Sequence, residues 1–285
     1  MTIKEANIYI RNELKSLYPQ NEISAFAKII FSDVFGLSST DLIVKENFTF
    51  SEKDFENLKN IVNRLKKYEP LQYIIGFTEF YGLKFTVNPN VLIPRPETEE
   101  LVDLIINDNK NEKNLKILDV GTGSGCIAVS LGKNLPEAKI FAFDISGKAL
   151  ETAQTNALIN KVKISFFQED ILNKNIFSKY GDFNIIVSNP PYVKISEKEK
   201  MQANVLKYEP ETALFVEDEK PLIFYEAVCK FAGQKLMPGG KLYFEINEVY
   251  GKEVSELLIN YGFTGITIIK DINGKDRIAK AYKKF

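Results

Sequence analysis

Asn189-Pro190-Pro191-Tyr192 closes the apolar run FNIIVS, and its residue types suit one task, holding a planar amino group still. A short β-branched run that stops at two prolines reads as a buried strand, so the tetrapeptide sits at a strand's carboxyl end, where open α/β sheets bind ligands. The prolines stiffen the loop so that the Asn189 side-chain carbonyl and the Pro190 backbone carbonyl can point the same way. Two fixed acceptors match one NH2, and Tyr192 can cover a flat group. The candidate reacting-group residues are therefore Asn189, Pro190 and Tyr192, with Pro191 completing the substrate loop. Taken alone, the tetrapeptide reads equally well as a proline-terminated strand followed by an ordinary loop.

A second constellation lies upstream. Asp119-Val120-Gly121-Thr122-Gly123-Ser124-Gly125 follows the strand LKILDV and precedes the helix CIAVSLGKN, so the glycines permit a tight turn and close approach of backbone to a ligand. The third glycine falls one residue early for GxGxxG, and Asp119 stands where it could bond an ammonium; both features favour S-adenosylmethionine over a dinucleotide. Asp144 ends the next strand about 20 residues on, where a carboxylate receives ribose hydroxyls, and it also reads as a cap for the helix after it. Asp170 ends the third strand, placed to accept from an adenine amino group with Ile171 packing on the ring; a solvated strand-end carboxylate fits it too. Cys126 opens the helix after the glycine loop, but the chain has no histidine to activate it, and packing is the simpler role.

These residues need a sheet to position them. After Leu115 the segments LKILDV, KIFAFD, KISFFQ, FNIIVS, KLYFEI, ITIIKD and RIAKAYK alternate mostly with helical stretches, which predicts a seven-stranded, doubly wound α/β sheet. Only INGKD separates the last two strands, too short for a parallel crossover, so the final strand is expected antiparallel. Upstream, Phe55, Leu58, Val62 and Leu65 recur at helical spacing behind a SEKD capping box. They place a small helical domain over 1–75, a hairpin linker over 76–95 around Gly82, and the main domain over 96–285, which opens with Pro96, Glu97, Glu99 and Glu100 in a helix's first turn.

Composition bounds the rest. The 285 residues are 45% hydrophobic, enough for a full core, while 37 basic against 38 acidic residues give a charge of -1 and no global field to draw a phosphate backbone. Direct nucleic-acid binding is disfavoured. Cys126 and Cys229 lie far apart and histidine is absent, so neither a disulfide framework nor a zinc site is expected, and histidine acid/base chemistry is excluded. The amino terminus lacks a long apolar stretch and nothing approaches a membrane span. A cytoplasmic, monomeric protein is the expectation.

Together, DVGTGSG, the FDIS acid, QED, SNPPY, YEPETALF, GGKLYFEIN and DINGKDR resemble the PrmC/HemK family of protein-glutamine methyltransferases, as do LQYIIG and NPNVLIPRPETEE. The likeness covers almost the whole chain. It implies a Rossmann-like class I methyltransferase sheet, S-adenosylmethionine as cofactor, and as substrate the glutamine of the Gly-Gly-Gln motif in class I peptide chain release factors, alkylated on its side-chain nitrogen. It implies cofactor contacts at Gly121 to Gly125 and Asp144, and a substrate loop at Asn189 to Tyr192. Ile171 lies where the family also carries a larger aromatic beside adenine; Arg95 and Glu97 match RPETE without an evident chemical role. Three rivals stay open at this level: methylation of a ribosomal-protein glutamine, a DNA adenine amino-methyltransferase, and a non-catalytic cofactor-binding adaptor.

Overall fold

The computed structural model describes residues 1–44, 48–173 and 181–285, which separate into a unit of Met1–Gly76 with Gln202–Tyr208 and a unit of Phe77–Met201 with Glu209–Phe285. In the first unit, α1 (Ile3–Leu14) starts on a reciprocal box in which the Thr2 hydroxyl accepts from Glu5 N–H and the Glu5 carboxylate accepts from Thr2 N–H. The helix α2 (Gln20–Ile29) runs into a π turn over Ile30–Val34, and α3 (Ser39–Val44) follows. Ser51 and Asp54 repeat the box at the head of α4 (Glu52–Leu65), and α5 (Leu71–Ile75) ends at Gly76 with φ 85°. Ile3, Ile10 and Leu14 of α1 meet Ile23 and Ala27 of α2 and Leu58, Val62 and Leu65 of α4 in one apolar cluster. These helices are held by tertiary burial of their apolar stripes more than by propensity.

The second unit begins with a hairpin of β1 (Phe77–Phe80) and β2 (Leu83–Thr86), turned at Tyr81 and Gly82, whose φ values of 50° and 69° suit a two-residue primed turn. Next comes α6 (Pro96–Asn109), with Pro96 at its start and Glu97 and Glu99 in its first turn. Then β3 (Lys116–Val120), α7 (Cys126–Asn134), β4 (Lys139–Asp144), α8 (Gly147–Ile159), β5 (Ile164–Gln168) and β6 (Phe183–Ser188) alternate. After β6 come the short β7 (Val193–Lys194), α9 (Ala203–Tyr208) and β8 (Phe215–Val216), and finally α10 (Ile223–Lys235), β9 (Leu236–Glu245), α11 (Gly251–Asn260), β10 (Phe263–Lys270) and β11 (Asp276–Lys283). The α9 segment groups with the first unit, where the Tyr208 hydroxyl donates to the Lys67 carbonyl at 3.0 Å.

The main sheet has the order β10-β11-β9-β6-β3-β4-β5. Its five strands from β9 to β5 are mutually parallel, while β11 pairs antiparallel with both β9 and β10. The expected seven strands and antiparallel last strand are both present. Successive residues of β3 feed opposite faces: Ile117 joins a cluster with Val129 and Leu131 of α7, and Leu118 and Val120 join one with Tyr225, Val228 and Phe231 of α10. Burial on both faces explains why these strands read as continuous apolar runs. One boundary differs from the pattern. β9 starts five residues before KLYFEI, because a register shift between Phe183 and Ile185 absorbs Met237 to Gly240, and at Gly240 a Cβ would come within 2.8 Å of the Met237 carbonyl oxygen.

Candidate functional site

The chain moves outward from β3 to β4 and β5 in one direction and to β6 and β9 in the other. The carboxyl ends of β3 and β6 therefore flank the switch point where open sheets take ligands. A cavity of about 350 Å³ lies there, within the range of small-molecule sites. It is lined by Gly121, Thr122, Gly123 and Ser124 after β3, by Asp144 after β4, by Asp170 and Ile171 after β5, and by Asn189, Pro190 and Pro191 after β6. The expected site residues thus converge on one place, although three of them, Asp119, Gly125 and Tyr192, are not part of its wall.

The glycine loop is built for close approach. Gly121, Gly123 and Gly125 have φ values of 74°, 56° and 81°, a region disfavoured for side-chain-bearing residues. Gly125 also faces α8, where a Cβ would sit 3.0 Å from the Ala153 Cβ. The amides of Gly121 and Thr122 both donate to the Phe143 carbonyl at 3.0 Å, so the loop is bonded to the strand that carries Asp144. Asp144 closes this arrangement: Oδ2 accepts from Gly123 N–H at 2.8 Å and Oδ1 from Ser146 N–H at 2.9 Å. The cap of α8 is Ser146, whose hydroxyl accepts from Ala149 N–H at 3.2 Å, so Asp144 holds the capping turn and does not cap the helix itself. Burial raises the Asp144 carboxyl above its ordinary range against those backbone bonds. Each oxygen retains acceptor capacity for a hydroxyl, which is the fit that a ribose requires. Asp170 accepts from Leu172 N–H at 2.9 Å, and Ile171 packs against the β6–β9 core while lining the cavity.

Asp119 is fully buried beneath the loop and does not line the cavity. Its Oδ2 accepts from the Thr122 hydroxyl at 2.6 Å, while Oδ1 has no partner among the described residues. Burial pushes this carboxyl up to about 7. Asp119 thus pins Thr122, and its expected contact with the cofactor ammonium belongs to the proposal below. Cys126 lines the cavity with its thiol pushed up to about 12 by burial, which leaves it protonated and suits packing.

At the end of β6 the Ser188 hydroxyl donates to the Val120 carbonyl at 2.7 Å, tying the loop after β6 to β3. Beyond the prolines the chain forms the short parallel pair β7–β8, with Val193 N–H bonded to the Leu214 carbonyl at 3.0 Å. The NPPY loop is thus anchored at both ends. Asn189 donates its Nδ2 to the Thr98 hydroxyl oxygen at 3.4 Å, and the Thr98 hydroxyl donates to Glu245 Oε2 at 2.6 Å. Glu245 is buried close to the Tyr192 side chain and has its carboxyl pushed up to about 7 by burial. Tyr192 itself packs against the apolar core and is not part of the cavity wall, and burial holds its phenol well above the ordinary range. Its ring is partly buried against that core, and a role over a flat substrate group belongs to the proposal below.

Pattern reading left Arg95 without a role and passed over Thr98, Glu209 and Glu245. Arg95 lines the cavity and pairs with Glu209 at 2.6 Å, and Glu209, buried, also accepts from Ile93 N–H at 3.2 Å. RPETE and YEPET therefore meet as one wall. Glu245 carried a signal of its own, an acid ending an apolar strand like Asp144, whereas Thr98 carried none.

Comparison with known proteins follows the same division. The profile of the Methyltransferase small domain matches residues 98–214, and that of the PrmC N-terminal domain matches residues 5–76. A release factor glutamine methyltransferase of Flavobacterium psychrophilum is 47% identical over 98% of this chain and 99% of its own, and one of Bacteroides thetaiotaomicron is 46% identical over 96% and 97%. A crystal structure of a methyltransferase from Pyrococcus furiosus superposes with a TM-score of 0.53 at 18% identity, covering 83% of this chain and all of that one, which speaks to the fold alone.

Proposed function

The chain belongs to the release factor glutamine methyltransferase family, PrmC/HemK, and on that premise we propose that it transfers a methyl group from S-adenosylmethionine to the side-chain amide of the Gly-Gly-Gln glutamine in class I peptide chain release factors. The single observation that carries this reading is one cavity wall shared by the glycine loop with Asp144 and by Asn189 with Pro190. A cofactor half and an acceptor half thus adjoin.

The bound cofactor would supply a methyl group on a sulfonium, an electrophile that needs only a correctly aimed nucleophile. An amide nitrogen is a weak one, because its lone pair is delocalised into the carbonyl. Asn189 Oδ1 and the Pro190 carbonyl accept the two N–H bonds of the glutamine amide, fixing its plane so that the lone pair faces the methyl group. They also stabilise the positive charge that grows on nitrogen, and fixing the geometry in advance removes orientational entropy from the barrier. Asn189 is suited to this, since its Nδ2 is engaged with Thr98 and its oxygen is the part left for a ligand. No side-chain base is required before transfer, because the nitrogen proton becomes acidic once alkylated, and this accords with a chain that has no histidine. Asp144 would receive the ribose hydroxyls and Asp170 and Ile171 would flank the adenine, as their place on the cavity wall allows, while the helical unit of Met1–Gly76 would dock the release factor. Asp119 would meet the cofactor ammonium, and Tyr192 would lie over the flat amide.

The test is transfer from isotope-labelled S-adenosylmethionine to purified class I release factor, with the acceptor mapped by mass spectrometry. One methyl on the Gly-Gly-Gln glutamine is expected; label on a ribosomal-protein glutamine or on adenine in DNA would reject the substrate assignment.

A further inference from the structure

Asn189 serves as an acceptor only one way round. A half-turn about its last torsion exchanges Oδ1 for Nδ2 and would present a donor where the substrate amide also brings donors. The two orientations differ little in shape, so the hydrogen bonds of the neighbours must choose between them. The neighbour on the inner side is Thr98, a hydroxyl with one proton and two lone pairs. That proton is committed to Glu245 Oε2 at 2.6 Å, so toward Asn189 the oxygen can only accept. The Nδ2 must then turn to Thr98 and Oδ1 to the cavity. We propose that Glu245, acting through the Thr98 hydroxyl, is a positioning residue that locks the Asn189 amide with its oxygen toward the substrate. This rests on the reading of Asn189 as the amide acceptor.

The arrangement works because each partner is held by a different element. Thr98 lies in the first turn of α6, Glu245 ends β9, and Asn189 follows β6; Thr98 and Glu245 are both buried. Water therefore has little access to supply an alternative partner, and the bonds act at low dielectric. Ionised, Glu245 can only accept, so the Thr98 hydroxyl must donate to it. Protonated, it can donate to Thr98 as well as accept from it, which frees the Thr98 proton to turn toward Asn189 and removes the bias against the reversed amide. The charged and titratable groups around Glu245 are Arg277 from β11, Glu97 from α6, Tyr192 from the loop after β6, Tyr225 from α10 and Cys126 from α7. Arg277 favours the ionised form, Glu97 and burial oppose it, and the balance lies at about 7. Turnover at saturating cofactor should therefore rise with pH across that region.

The experiment uses the full chain, purified class I release factor and labelled S-adenosylmethionine, comparing Thr98→Val, Thr98→Ser, Glu245→Gln, Asn189→Ala and the double variant Thr98→Val/Asn189→Ala. Thr98→Val is expected to lower kcat by at least about tenfold while cofactor affinity stays within about twofold. Thr98→Ser, which keeps the hydroxyl, should recover most of the rate. Thr98→Val should add no further loss to Asn189→Ala, and Glu245→Gln should lose the rise of kcat near neutral pH. A Thr98→Val protein at wild-type kcat beside an inactive Asn189→Ala overturns the positioning role and leaves the amide clamp intact. So does a Thr98→Ser variant as impaired as Thr98→Val, or an unchanged pH profile in Glu245→Gln, which decides the matter alone if Thr98→Val does not fold. Near wild-type turnover in Asn189→Ala rejects the clamp itself, and the positioning role with it.

Discussion

Three strand-end carboxylates, alike in sequence, have diverged in role. Asp144 lies on the cavity wall with acceptor capacity to spare, so Asp144→Ala is expected to weaken S-adenosylmethionine binding by roughly 1.5–3 kcal/mol for each hydrogen bond that a ribose hydroxyl would give it. Unchanged affinity in titration calorimetry would remove the ribose assignment. Asp119 and Glu245 are buried with folded-state carboxyls near 7, against ordinary values of 3.8 and 4.5. The folded chain thus keeps protons that the unfolded chain releases between about 4 and 7, and in that window the native state binds more protons. Their contribution to the stability of the free protein is therefore greatest below the window and declines as pH rises through it. Asp119→Asn keeps an acceptor for Thr122 without the charge and should flatten that decline, gaining roughly 1–3 kcal/mol at pH 8 relative to pH 5 in denaturant unfolding. A mutant curve parallel to wild type would contradict the burial argument. At this scale the sequence was legible wherever a carboxylate or glycine interrupts an apolar run, because the interruption is local. Thr98 was not, since its meaning comes from Glu245, 147 residues away, and from Asn189, 91 residues away. The packing of Tyr192 against the apolar core was not legible either: a motif fixes which residues are adjacent, while the packing of β6 against its neighbours decides which side each ring faces.

The elements that matter most are the short ones. The glycine loop joins β3 to α7 through three left-handed residues, and Gly125 additionally marks where α7 approaches α8. Gly125→Ala should cost about 1–3 kcal/mol from the backbone conformation alone, and more if α8 cannot yield at Ala153. Cofactor affinity should fall with it, since the same residue starts the helix behind the loop; thermal melts with and without cofactor would show both effects, and an unaltered melt would contradict the strain. The strands β3 to β6 were legible because burial on both faces leaves uninterrupted apolar runs, and the short INGKD turn required β11 to run antiparallel. Its insertion between β9 and β10 is written in neither strand's pattern. The early start of β9 was hidden as well, because Pro238-Gly239-Gly240 reads as a turn and only pairing with β6 makes it a bulge.

At the scale of the whole molecule, the proposal divides labour between a helical unit that engages the protein substrate and a sheet unit that holds the cofactor. All residues of the cavity wall come from the second unit. A protein lacking residues 1–76 should therefore retain S-adenosylmethionine binding while losing most turnover on intact release factor; full turnover would reject the docking role. The capping boxes of α1 and α4 made the helical unit readable, whereas the membership of Gln202–Tyr208 in it was not, being set by tertiary contacts such as that of Tyr208 with Lys67. The central claim, that an anchored NPPY loop orients a weak amide nucleophile beside the cofactor, is tested most directly by single-turnover methyl transfer to intact release factor with the full chain and its Asn189→Ala variant, both saturated with cofactor. Because each ~1.4 kcal/mol of lost transition-state stabilisation is tenfold in rate, the account predicts a rate lower by at least about a hundredfold with cofactor affinity nearly unchanged. An Asn189→Ala protein that methylates the same glutamine at near wild-type rate would contradict it.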